Sequence, residues 1–256
     1  MSAPIINPRR IRLLAWAEFR AFWTNPSGGL ALLVFLGIAG VLFYNAVADH
    51  ATANLGALAR GRLLSADLSI FSNGLTNLGL VILLVSPLTT MRSMSPYAQG
   101  GHLDLLLAWP LSPWELILGQ YLAAVMTLGL LTSLSLLPFL VIWFMGVGSL
   151  AVLLSSALGL ALLISAFSAL GLAIATLTSS PLAAALTSLG VLAFLWSLGW
   201  AAPYLPPWAA YLAQGLAIAP RLSHFALGLI DLNDALFFLA LTLVSLWIGR
   251  PRADRG

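Results

Sequence analysis

The chain has 256 residues, 61% of them hydrophobic and only 7% charged, with a mean hydropathy of +1.00 and a formal net charge of +3. Soluble domains carry about 25% charged residues, so this composition excludes a water-soluble globule and predicts an all-α membrane protein with several spans. Every basic residue is arginine and cysteine is absent, which leaves no lysine for a Walker A phosphate loop and no thiol for a disulfide, a nucleophile or an iron–sulfur cluster.

Residues 1–27 carry arginine and tryptophan without the apolar core and small-residue end of a cleavable signal, and are expected to form a cytoplasmic N-terminus. Within them, Arg9 to Trp23 is helical in period. Ile11, Leu14, Ala15, Phe19 and Phe22 share one side, and Arg9, Arg12 and Arg20 lie opposite. This predicts an interfacial helix with its apolar side in lipid and its arginines at headgroups and cytosol. Glu18 is the misfit on the apolar side. It reads either as a snorkelling or locally paired carboxylate, or as a contact to Arg92 or to a partner protein.

Apolar runs of about 20 residues predict six spans, at about 28–48, 68–91, 114–140, 148–177, 182–202 and 232–249. The third and fourth are long enough to tilt or to extend past the bilayer. Pro138 is expected to bend or end the third. In the second span Asn73 and Asn77 share a face. They read as interhelical hydrogen-bond formers, or as the polar lining of a substrate path. Ser155, Gly159, Ala169, Ala173 and the Gly37/Gly40 pair are small enough to let helices approach closely.

Between the fifth and sixth spans, residues 203–230 hold Pro203, Pro206, Pro207 and Pro220 among Tyr204, Trp208, Tyr211 and Phe225. Proline and aromatic residues with few charges predict short helices lying in the membrane interface. Asp231, ahead of an apolar run, is expected to cap the last helix. Residues 250–256 form the tail. Arginine placement sets the orientation. With both termini cytoplasmic, Arg9, Arg10, Arg12, Arg20, Arg92, Arg250, Arg252 and Arg255 lie inside, and only Arg60, Arg62 and Arg221 outside. No internal repeat supports an inverted-repeat carrier.

No constellation for chemistry emerges. His50, His102 and His224 are far apart and lack companions at metal-ligand spacing. Ser223, His224 and Asp231 could be drawn as a triad, but no nucleophile elbow surrounds them. Ionisable residues within the spans are essentially absent, which argues against a proton-coupled carrier or ion channel. The arginines form no basic stripe with interleaved aromatics, so nucleic acid is not an expected partner.

The stretch from Met91 to Val125 carries a pattern. Met91-Arg92 leaves the second span. Gly101-His102-Leu103-Asp104-Leu105-Leu106-Leu107 follows, then Pro110-Leu111-Ser112-Pro113-Trp114-Glu115, then a helix opening Leu118-Gly119-Gln120-Tyr121-Leu122. It resembles the cytoplasmic coupling segment of ABC-2 type transporter permeases, in particular the six-helix subunits of the gliding-motility kind. Residues 16–44 and 221–248 resemble the family's first span and its last gate helix and final span. The departures are Ser95-Pro96-Tyr97-Ala98-Gln99 in place of an acidic–basic run, Gly-His-Leu-Asp in place of Gly-Thr-x-Glu, and Gln120 in place of lysine.

The resemblance implies a non-enzymatic permease subunit, exporting a substrate across the bacterial cytoplasmic (inner) membrane. ATP and magnesium would be bound not by this chain but by two partner ABC ATPase subunits. A second permease copy or homologue would complete the complex, with room for a periplasmic accessory protein. Segment 92–113 would couple to the ATPase through Arg92, Gly101, His102, Asp104, Leu105, Pro110, Trp114 and Glu115, together with Glu18. The helices of 203–230 would form an external gate with Trp208, Tyr211, Pro220 and Phe225. A second reading is a non-transporting subunit that transmits ATPase-driven force to envelope partners.

Overall fold

The computed structural model describes residues 7–58, 70–99, 112–146, 148–178 and 180–250, with the side chains of 27, 56–58 and 92–99 left aside. The described residues are helical throughout and contain no strand. Nine α-helices follow in order: α1 Pro8–Thr24, α2 Pro26–Leu58, α3 Ser72–Gln99, α4 Pro113–Phe144, α5 Leu150–Leu177, α6 Pro181–Ala201, α7 Pro207–Leu216, α8 Ile218–Ala226 and α9 Leu232–Ile248. A single 3-10 turn, Ala202–Tyr204, joins α6 to α7.

Five of these helices are long and apolar enough to cross a membrane: Gly28–Leu55, Ser72–Met91, Pro113–Phe144, Leu150–Leu177 and Pro181–Tyr204. The expected sixth span coincides with α9, whose 17 residues reach about 25 Å at 1.5 Å per residue. That is the lower limit for a bilayer core of about 30 Å. The helix of the expected first span, α2, is longer than expected and carries Asp49 and His50 in its later turns rather than beyond its end. In α3 the helix passes the expected boundary at Met91 and continues through Arg92 to Gln99.

Pro138 does not end its helix. α4 runs unbroken from Pro113 to Phe144 with Pro138 inside it. Apolar surroundings offer no competing water, and neighbouring helices hold such a helix together. Here the next residue, Phe139, is buried with its ring centroid 4.9 Å from Phe43 and 5.9 Å from Phe71.

α5 is the hub, and α3, α4, α6, α8 and α9 all pack against it. Its inward positions are small: Ser155, Ser156, Gly159, Ala166, Ser168, Ala169 and Ala173 are all buried. Close backbone approach is how helices associate in lipid, where no hydrophobic force draws them together. A hydroxyl chain joins α4, α5 and α9. Tyr121 Oη lies 2.7 Å from Ser165 Oγ, and Ser165 Oγ lies 3.1 Å from Thr242 Oγ1. Gly37 and Gly40 depart from the expected close approach, because nothing lies within 4 Å of a Cβ built at either. Both belong to α2, which leaves Leu30, Leu33, Val41 and Tyr44 exposed.

The turn between α4 and α5 is tight. Gly146 and Gly148 adopt φ of 83° and 94°, a region that only glycine enters at low cost, and a Cβ on Gly148 would collide with the Phe71 ring.

Candidate functional site

Two polar clusters stand out in this apolar bundle, one at the start of α4 and one at the start of α9. The first is built on a capping box. Ser112 Oγ accepts from the Glu115 N–H at 3.2 Å, and Glu115 Oε2 accepts from the Ser112 N–H at 2.8 Å. This satisfies two N–H groups that a helix start leaves without partners, and it places a carboxylate at the positive end of the helix. Glu115 Oε1 accepts a third bond, 2.8 Å from the backbone N–H of Asn7.

Asn7 is itself the N-cap of α1, its side chain accepting from the Arg9 N–H at 3.0 Å. One buried carboxylate, 1% exposed, therefore ties together the first turns of α1 and α4. Arg10 acts on it through its charge. From the other side, the Arg250 guanidinium lies 5.8 Å from the centroid of the Trp114 ring, within cation–π range. The starts of α1 and α4 and the end of α9 thus meet immediately after residues 92–111.

α1 lies along α4. The face carrying Ile11, Leu14, Ala15, Glu18 and Phe22 turns toward the bundle, with Ala15 buried. A Cβ on Gly119 would lie 2.6 Å from the Leu14 side chain, so Leu14 packs directly on the α4 backbone at this glycine. This corrects the expected placement: the apolar side of α1 rests on protein rather than in lipid, because Gly119 and Ala123 open a groove of matching shape on α4. Leu13 and Trp16 are the exposed apolar residues of α1.

Glu18 faces a cavity of about 150 Å³ shared with Asn25, Thr89 and Thr127. The hydroxyls of Thr89 and Thr127 bond to carbonyls of their own helices. Among the described residues Glu18 has no ion pair, and burial raises its pKa above the ordinary carboxylate value. Gln120, where the family resemblance led to lysine, is 1% exposed. A neutral amide suits that depth better than a charge.

The second cluster is on α8 and α9. Asp234, 3% exposed, accepts from Arg221 Nη1 at 2.7 Å through Oδ1 and lies 2.7 Å from His224 Nδ1 through Oδ2. Arg221 also donates through Nη2 to the Gly215 carbonyl at 2.9 Å, and its guanidinium sits 4.3 Å from the Phe237 centroid. Asp231 caps α9 as expected, accepting from the Asn233 N–H at 2.9 Å. Of the three residues that could be drawn as a triad, His224 pairs with Asp234 rather than Asp231, and Ser223 Oγ donates to the Pro220 carbonyl at 2.6 Å.

The expected gate residues divide. Trp208 and Tyr211 on α7 are exposed, whereas Phe225 on α8 is fully buried. Phe225 sits in a seat made by α5. Ser155 Oγ donates to its carbonyl at 2.7 Å, Ser156 Oγ at 3.3 Å, and a Cβ on Gly159 would lie 2.6 Å from Phe225 Cβ. Pro220 packs against Gly199 of α6.

Asn73 is exposed and Asn77 partly so. Neither makes a side-chain hydrogen bond among the described residues, and the packing position between them is Gly74, against Phe139. Of the expected coupling residues, Glu115 and Trp114 are in the α4 cluster. Arg92 lies in α3 with its side chain outside the described residues, as are Gly101, His102, Asp104, Leu105 and Pro110.

Asn7, Arg250, Arg221, His224 and Asp234 were not anticipated as site residues. The Ser112-x-x-Glu115 spacing announces a capping box in sequence. A bond to a backbone N–H 108 residues away leaves no such trace.

The long apolar helices, each with few charged residues in its apolar stretch, define a multi-pass membrane protein. The ABC-2 type transporter family model matches residues 9–214, and the chain belongs to that family. The match ends within α7 and takes in residues 9–24 of α1 and 112–115, while Asn7 and Arg250 lie outside it. Members of the family are membrane subunits, generally non-catalytic, that normally pair with ABC ATPase subunits. Comparison with curated proteins returned no match.

Proposed function

We propose that this chain is the permease half of an ABC-2 exporter of the gliding-motility-like type in a bacterial cytoplasmic membrane. It would work as a pair of permeases with two ABC ATPases that bind ATP and magnesium. In this reading α9 is the sixth span and both termini are cytoplasmic. Residues 1–27 form the interfacial unit, 28–249 the membrane domain and 250–256 the tail. The α4 cluster then lies at the cytoplasmic side and the α9 cluster outside, as the positive-inside rule favours.

The observation that carries the proposal is the Glu115 junction. Segment 92–113, with Asp104 at the ATPase, delivers its displacement directly to Ser112. Through Glu115 the first turns of α1 and α4 are joined, so a push on one residue moves both. Through Trp114 and Arg250 the push extends to α9, whose far end carries Asp234 and the external helices. Asn73 and Asn77 on α3, without a side-chain hydrogen bond among the described residues, are candidates for the substrate path.

The test uses Leu222→Cys on α8, a position 1% exposed, in a chain that has no other cysteine. In the reconstituted complex, thiol labelling there should depend on ATP. Glu115→Ala should abolish that dependence while ATP hydrolysis persists, and Asp49→Ala should leave both unchanged. Retention of ATP-dependent labelling in Glu115→Ala would remove the junction from the coupling path.

A further inference from the structure

A groove of about 860 Å³ runs between the outer side of α1 and α4, a volume in the range of small-molecule sites. Its chemistry is divided along its length. Arg9 and Arg12 stand at one end, and Leu13, Trp16, Leu122 and Met126 form the walls. Arg9, Arg12, Leu13 and Trp16 follow at three- and four-residue steps and so share one side of α1. Neither arginine makes an ion pair among the described residues, and no acid lines the groove.

The apolar end continues. Leu130, Leu137 and Val141 are exposed on α4 in register with Leu122 and Met126, extending an oily track about 28 Å from Leu122 along the helix. A cationic head, a tryptophan at the junction and a long apolar track match one class of amphiphile. We propose that this groove is a binding seat for an anionic phospholipid, its headgroup on Arg9 and Arg12 and one acyl chain along Leu122, Met126 and Leu130.

The lipid would occupy the outer flank of the same α1–α4 pair that Glu115 joins at its end. Headgroup charge would thereby hold α1 against α4. This assignment rests on the groove and its arginines and is independent of the transport reading.

The test is quenching of Trp16 in the full chain reconstituted into phosphatidylcholine vesicles. Phosphatidylglycerol or phosphatidylcholine with brominated acyl chains is added at the same low mole fraction, and the Trp16 signal is taken as the difference between wild type and Trp16→Phe. Each arginine near anionic headgroups contributes about a fivefold preference, so with Arg9 and Arg12 both engaged brominated phosphatidylglycerol should quench Trp16 at least roughly fivefold more effectively than brominated phosphatidylcholine. In Arg9→Gln/Arg12→Gln the two lipids should quench nearly alike. Arg20→Gln, exposed on α1 but outside the groove, should keep the preference.

Equal quenching in wild type would overturn the proposal, as would a preference that survives the double substitution or is lost equally in Arg20→Gln. Absence of quenching by either lipid would show the groove to be covered by protein and would overturn it as well.

Discussion

Asp234 and Glu115 hold the same place in their helices, the third residue of an apolar run capped by an aspartate or a serine. Each is buried, and each answers to groups from another element. Removing one partner of a buried ion pair costs about 3–5 kcal/mol, because the other charge is left behind. Asp234→Ala should therefore lower the thermal midpoint of the detergent-solubilised chain substantially. Asp231→Ala, which removes only an exposed cap, should cost about 1 kcal/mol. Tryptophan fluorescence melting curves compare the two, and an Asp231→Ala loss as large as that of Asp234→Ala would contradict the assignment. Glu18 is the opposite case. Burial, with no ion-pair partner among the described residues, raises its folded pKa above the unfolded value. Its contribution is then fully present below the unfolded carboxylate range, near 4.3, and is lost as pH rises through the folded value. Glu18→Gln should raise the melting temperature at neutral pH, and the gain should vanish in acid. A gain that is unchanged in acid would show that packing, not ionisation, is responsible.

At the scale of elements, the short helix α8 is held by shape as well as charge. α8 rests its Phe225 on the small residues of α5 and its Arg221 on α9. Gly159→Leu should push Phe225 out of its seat and make Leu222→Cys reactive toward thiol reagents, while Gly37→Leu, facing open space, should not. Unchanged labelling in Gly159→Leu would mean that the seat does not hold α8. These elements differ in how legible they were. Long apolar runs announce spans because lipid demands them, and the prolines of 203–230 announce short helices because they interrupt longer ones. The Ser155–Gly159 spacing marks a close contact, but nothing in the sequence names Phe225 as what fills it. The amphipathic face of α1 was legible, yet period alone cannot tell protein from lipid as the surface it meets. The Arg221–Asp234 pair was invisible for a related reason: separated by 13 residues and a turn, it is created only when α8 folds back on α9.

For the whole molecule, topology and partnership carry the account. The proposed orientation has both termini cytoplasmic, so Pro96→Cys should resist an impermeant thiol reagent in intact cells and Ala210→Cys should react, and the reverse pattern would invert it. The central claim is that this chain is moved by an ATPase it does not contain. The most direct measurement is the composition of the complex recovered through an affinity tag on the full chain from native membranes, weighed intact. The account predicts an ABC ATPase in equal ratio with permease subunits, two of each, and loss of that ATPase on Asp104→Arg at equal amounts of membrane-inserted chain. Recovery of the chain without any ABC ATPase, or an ATPase bound equally well after Asp104→Arg, would contradict it.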